Sequence, residues 1–250
     1  MKRGSRAILL SFCVVIGMTL GYWLLLSRPI LLFPYHVSHG TVTLHSDLPF
    51  DAERGRQTLA RADARLRTSP LLRADDHFDV FVCNSAWRRV LFMRQHFNVG
   101  GVNVFPFSAN VFLRESDIEA DRMIGPSGNV LSAERPLSYF IAHEVTHTLT
   151  GRTVGPLRYT LMPRWIREGY ADYVGRGDRF DMDAALRALR ANDSAMNWER
   201  SGLYYLYHLE VAWLLEREHW PLTQLLASEL SDAAMESQMR TIAAEKGKGR

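Results

Sequence analysis

Cysteine is scarce in this 250-residue chain: there are two, Cys13 and Cys83. Cys13 falls inside an apolar N-terminal run and Cys83 inside FDVFVC, so no intramolecular disulfide joins them. Cys83 reads as a small core residue, and stability has to come from packing, with a metal as the other available source. An excess of charge is lacking too. A net charge of +3 is too slight for a nucleic-acid surface, so no nucleic acid is expected as a partner. No internal repeat or low-complexity tract stands out, which argues against solenoids and disordered arrays. With 47% apolar residues, the chain is rich enough to bury one substantial core.

Long hydrophobic runs are limited to one. Residues 7–26, AILLSFCVVIGMTLGYWLLL, carry no charge. At about 1.5 Å per helical residue they reach about 30 Å, the thickness of a bilayer core. Lys2, Arg3 and Arg6 precede the run, so the positive-inside rule places the N-terminus in the cytoplasm and the rest outside it. A cleaved signal peptide is the rival reading. Its apolar core is usually shorter and no A-x-A-like site follows, so an uncleaved anchor is preferred.

Residues 139–151 read YFIAHEVTHTLTG and contain HEVTH. On a helix, His143 and His147 are about 1.1 turns apart, so both imidazoles point the same way and can chelate one ion. Glu144 projects beside them, where a carboxylate reaches a metal-activated water. The bland alternative is a surface helix bearing two His and a Glu. Apolar LSYFIA before the motif and TL after it argue for burial instead, and buried polar groups need partners.

A catalytic zinc needs three protein ligands. Glu168, in PRWIREGYADYV (163–174), is the third candidate. Pro163 is placed to open a helix at Arg164, which puts Trp165, Glu168 and Asp172 on one face. Metal-bound His usually donates its other ring N–H to a carboxylate. Asp172 is the candidate for that role, on His143. Without HEVTH, the same segment would read as an amphipathic helix with two solvated acids.

HEVTH followed by WIREGYADY resembles the gluzincins, zinc peptidases that include thermolysin and the large membrane aminopeptidases. The similarity covers about residues 135–175. It implies His143, His147 and Glu168 as ligands of one Zn2+, with Glu144 as general base. It also implies an oxyanion donor in the YYLYH cluster: Tyr205, relative to LLE (214–216), approximates the placement in the aminopeptidase-like branch. Tyr204, Tyr207 and His208 are its neighbours, and all these rings read equally as core. The G-x-M-E-N segment of those aminopeptidases has no counterpart here, so the resemblance supports the zinc site and not aminopeptidase specificity. By the same analogy, NVFLR (110–114) is the edge strand that would pair with extended substrate.

The rest of the chain gives an α+β expectation. Residues 1–6 are cytoplasmic, 7–26 span the membrane, 27–40 are linker, and 41–250 form a zincin-like metallopeptidase domain with a small mixed sheet, an active-site helix and a helical C-terminal part. TVTLHS (41–46) and FDVFVC (78–83) read as strands, the second one central. Asp51 caps a helix over 52–67 whose Leu59, Ala62 and Leu66 share a face. Residues 84–97 read as helical, VNVFPF as a strand kept from the centre by Pro106, 115–134 as a surface loop rimming the cleft, and Gly151 as a helix C-cap. The expected function is a membrane-anchored zinc peptidase acting on peptides or proteins, with endopeptidase action preferred and exopeptidase action left open. The alternative is an inactive, zinc-binding or partner-binding member of the same fold. A retained Glu144 argues against it, since a structural site needs no general base.

Overall fold

A computed structural model describes residues 3–94, 99–177 and 180–248. It opens with α1 (Arg3–Ser27), of which Leu10–Ser27, with mean hydropathy 1.9, is long and apolar enough to cross a membrane. A 3-10 turn (Ile30–Leu32) leads into β1 (Tyr35–His39), which pairs antiparallel with β2 (Val42–Ser46). The segment expected to be linker therefore contains an edge strand. Only Val37 of β1 is buried, so the strand carries a single apolar residue and leaves almost no hydrophobic period to read.

The chain then forms α2 (Ala52–Leu66), β3 (Phe78–Cys83), α3 (Ala86–Arg88) continued by a π-helical turn (Arg89–Met93), β4 (Gly101–Asn103) and β5 (Val111–Arg114). Asp51 caps α2 by accepting from the Arg54 amide at 2.8 Å, and Leu59, Ala62 and Leu66 are all fully buried, as their spacing predicts. The end of the helix expected over 84–97 lies outside the described residues. Among the described residues the main sheet runs β1-β2-β3-β5-β4, parallel from β2 through β5 and antiparallel at both edges. β3 is central. NVFLR is not the edge: β5 lies inside the sheet and β4 occupies the border, consistent with Pro106 just beyond it.

A small hairpin, β6 (Ser116–Asp117) with β7 (Arg122–Met123), breaks up the segment expected to be loop and buries Ile118 and Met123. The helices follow: α4 (Leu137–Val154), α5 (Pro156–Leu161), α6 (Arg164–Arg176), α7 (Met182–Arg190), α8 (Trp198–Ser201), α9 (Tyr205–Ala212), α10 (Leu222–Ala227) and α11 (Asp232–Lys248). α2 and α4 cover one face of the sheet, and α6 packs between α4 and α9. The opposite face carries an aromatic cluster of Phe33, Phe81, Phe92 and Phe112. Gly151 does not end α4. It lies inside the helix against the Phe105 ring, and the helix stops at Gly155, whose φ of 86° suits a residue without a Cβ.

Glu210 on α9 is fully buried and, among the described residues, neither carboxylate oxygen has a hydrogen-bond partner. Burial, reinforced by Glu236 and Asp232, pushes its carboxyl well above the usual range. An acid whose folded pKa is raised favours the fold most below its unfolded value, about 4.3, and loses that advantage as pH rises. Glu210→Gln is neutral at every pH. It should raise Tm at pH 8 by at least about 2 °C and change it little at pH 4.5. Thermal melts that shift equally at both pH values would show that Glu210 is not the cause.

Candidate metal centre

α4 carries HEVTH through the middle of the molecule, and its residues Leu137–Gly151 are all buried between the sheet, α2 and α6. Chain reversal after α5 brings α6 back alongside it, so Glu168 reaches the two histidines. Both Nε2 atoms converge on one oxygen, Glu168 Oε2, at 3.6 Å from His143 and 3.5 Å from His147. Ligand atoms of all three lie within 4.8 Å of one another. The imidazoles stand edge to face, with centroids 4.9 Å apart. Burial alone would raise the Glu168 carboxyl, but His147 and His143 outweigh it and hold the group well below the ordinary range. Two imidazole nitrogens and one carboxylate oxygen around one point are a donor set suited to zinc.

Glu144 sits beside this group, with its carboxyl pushed up to about 7 mainly by burial. The edge strand β4 crosses directly over it. A Cβ at Gly101 would lie 2.7 Å from Glu144 Cγ, so this close approach requires glycine. Asn103 pins the crossing by donating to the Glu144 carbonyl (3.1 Å) and to Thr148 Oγ1 (2.6 Å). Gly100 O and Val104 N face β5, which turns the N–H and C=O of Gly101 and Asn103 towards the open edge of the cleft. Pro126 and Leu131 also line the cleft.

Asp172 does not bond His143 directly. It is fully buried, accepting from Arg176 Nε at 2.7 Å and His208 Nδ1 at 2.9 Å, and the Tyr139 hydroxyl donates to its other oxygen. Because that hydroxyl gives its proton to Asp172, its oxygen is left to accept from His143 Nδ1 at 3.4 Å. A proton held on Nδ1 by this contact would leave Nε2 available to an ion, the tautomer a metal ligand requires. Tyr139 is thus the relay that sequence reasoning missed. Its signal was present, since it lies four residues before His143 on the same helix face.

Tyr205 also lies elsewhere. Its hydroxyl donates to Glu134 (2.5 Å), and its ring sits 4.5 Å from the Arg176 guanidinium, away from the cleft lining. Tyr204 lines the cleft instead, stacked on His143 at 5.7 Å and 7°. Tyr159, from α5, lines it beside His147 at 6.3 Å and was not anticipated. Burial, followed by the Glu168 charge, raises both phenols, so both stay protonated donors at neutral pH.

Compared with known proteins, the chain matches no protein-family model and no curated sequence. The functional reading therefore rests on its own residues.

Proposed function

We propose that the protein is a membrane-anchored, zinc-dependent peptidase of zincin-like fold. The observation that carries this reading is the convergence of His143 and His147 on one oxygen of Glu168, with Glu144 buried alongside. His143, His147 and Glu168 would hold the ion, which when bound supplies a Lewis acid and an acidified water. The other groups act around it. Extended peptide adds to the open edge of β4, where the Gly101 and Asn103 backbone reads peptide geometry without reading sequence. Glu144, with its elevated pKa, takes a proton from the attacking water and delivers it to the leaving amine. Tyr204 and Tyr159, held protonated, are the donors positioned for negative charge developing on the scissile carbonyl oxygen. α1 is the anchor, with the N-terminus cytoplasmic and the catalytic domain on the other side.

Metal analysis of the purified full chain, alongside a peptide-library hydrolysis assay, tests the reading. The wild type should carry about one zinc per chain, and His147→Ala should retain little, because two ligands no longer close the site. A wild type without stoichiometric metal removes the site assignment. Full zinc occupancy with no hydrolysis of any peptide removes the enzyme assignment.

A further inference from the structure

The C-terminal end of α1 is fastened to the domain by contacts as well as by the chain. Tyr22 donates its hydroxyl to the Leu91 carbonyl at 2.8 Å, and the Asn110 amide donates to the carbonyls of Leu26 (2.8 Å) and Ser27 (3.2 Å). Leu25 and Leu26 pack on the aromatic cluster beneath the sheet. Arg94 lies 4.4 Å from the Tyr22 ring, and Arg88 donates to the Leu32 carbonyl at 2.9 Å.

The segments around this junction point large apolar side chains outward. Leu31, in the 3-10 turn that follows the helix, is 95% exposed, Val90 beside Leu91 is 57% exposed, and Phe107, in the turn before Asn110, is 67% exposed. Trp87 and Ile30 are half-exposed in the same segments. Arg28 and Arg94 are exposed at the same end of the helix.

Length decides how deep this ring sits. The apolar run needs all of residues 7–26 to match about 30 Å of hydrocarbon. Tyr22 is four residues, or about 6 Å of helix rise, short of that end. Leu91 is bonded to Tyr22, so the domain surface begins below the end of the span. A helix seated at its full length carries the surrounding apolar side chains into the headgroup layer.

We propose that Ile30, Leu31, Trp87, Val90 and Phe107 form a collar that docks in the interface of the bilayer crossed by α1, with Arg28 and Arg94 reaching lipid phosphates. The occupant is lipid because the collar's segments are hydrogen-bonded to the end of a helix continuous with the bilayer. The inference rests on reading α1 as a membrane span. It also gives the cleft a position: Val102 packs on the same cluster as Leu25 and Leu26, while Gly101 and Asn103 on the same strand wall the cleft. The collar therefore holds the cleft at a fixed short distance from the membrane, where membrane-proximal segments of a polypeptide are the accessible substrates.

Spin labels test this on the full chain reconstituted in phosphatidylcholine–phosphatidylglycerol vesicles. Leu31→Cys, Val90→Cys and Phe107→Cys would be labelled singly in a Cys13→Ser background, with Val14→Cys as the span control and Ser237→Cys as the aqueous control. The buried Cys83 stays unlabelled. The three collar labels should collide with oxygen in preference to a water-soluble nickel chelate, at a depth shallower than Val14→Cys, while Ser237→Cys shows the reverse preference. Collar labels as accessible to nickel as Ser237→Cys, with Val14→Cys still lipid-exposed, would overturn the collar and leave the anchor standing. A nickel-accessible Val14→Cys would remove the anchor and the collar together.

Discussion

Glu144→Gln should lower peptide hydrolysis by about 10²–10⁴-fold while the chain keeps its zinc and its fold. The amide preserves the shape of the side chain, so the crossing of β4 over α4 at Gly101 is undisturbed. None of the three converging donors changes, so metal stoichiometry has no reason to fall. What disappears is the proton acceptor. The wild-type carboxyl is raised to about 7 chiefly by burial, so ionising it costs the folded state, and an uncharged amide avoids that cost. Tm should accordingly hold or rise slightly. The combined measurement is zinc content, thermal melting and turnover on one preparation. Residual activity above a tenth of wild type would remove Glu144 as general base. Loss of zinc would mean instead that its carboxylate belongs to the binding set.

The cluster of His143, Glu144, His147 and Glu168 is legible because helical period fixes which side chains share a face, and HEVTH with WIREG lie on two uninterrupted helices. α2 is legible from its cap and apolar spacing, and β3 from a run that is apolar except for Asp79. What escapes the pattern is partner choice. Period places Asp172 on the face of α6 towards α4, but it cannot show that Tyr139 stands between Asp172 and His143. Tyr204 and Tyr205 show the same limit from another side. The helix α9 begins at Tyr205, and Tyr204, with φ −94° and ψ 31°, is a cap residue outside the helical period. The resemblance points to Tyr205, the first residue of the helix, whereas the residue that lines the cleft is its cap neighbour Tyr204. Strand order is only partly legible: Pro106 keeps β4 from the centre, but β4 and β5 are both short, and the pairing is what shows that β5 lies inside the sheet and β4 at its border.

Asp172→Asn should cost about 3–5 kcal/mol of stability, the range seen when one member of a buried charged pair is removed. For a chain of this size that is a fall in Tm on the order of 10 °C. Arg176 is almost fully buried and relies on Asp172 Oδ2, while His208 is 1% exposed and donates to the same atom. An amide accepts more weakly than a carboxylate and leaves the guanidinium charge to the exposed Glu134 carboxylate at 3.5 Å. The effect has a pH signature. Burial acts to raise the Asp172 carboxyl, but the His208 hydrogen bond and the Arg176 charge overcome it, so its folded pKa lies below the ordinary value. A depressed acid contributes stability above its unfolded pKa, about 3.9, and loses it as pH falls towards the folded value. The gap in Tm between wild type and variant should therefore be full at pH 7 and narrow below about pH 4. Zinc affinity should fall as well, by about 10–100-fold, because Tyr139 loses the acceptor that orients its oxygen towards His143 Nδ1. Tyr139→Phe separates the two effects. It removes the relay and leaves the Asp172–Arg176–His208 contacts in place, so zinc should weaken with a much smaller loss of Tm. Melts of Asp172→Asn within about 1 kcal/mol of wild type at pH 7 would show that the buried network does not support the fold. Unchanged zinc affinity in Tyr139→Phe would show that the relay does not orient His143.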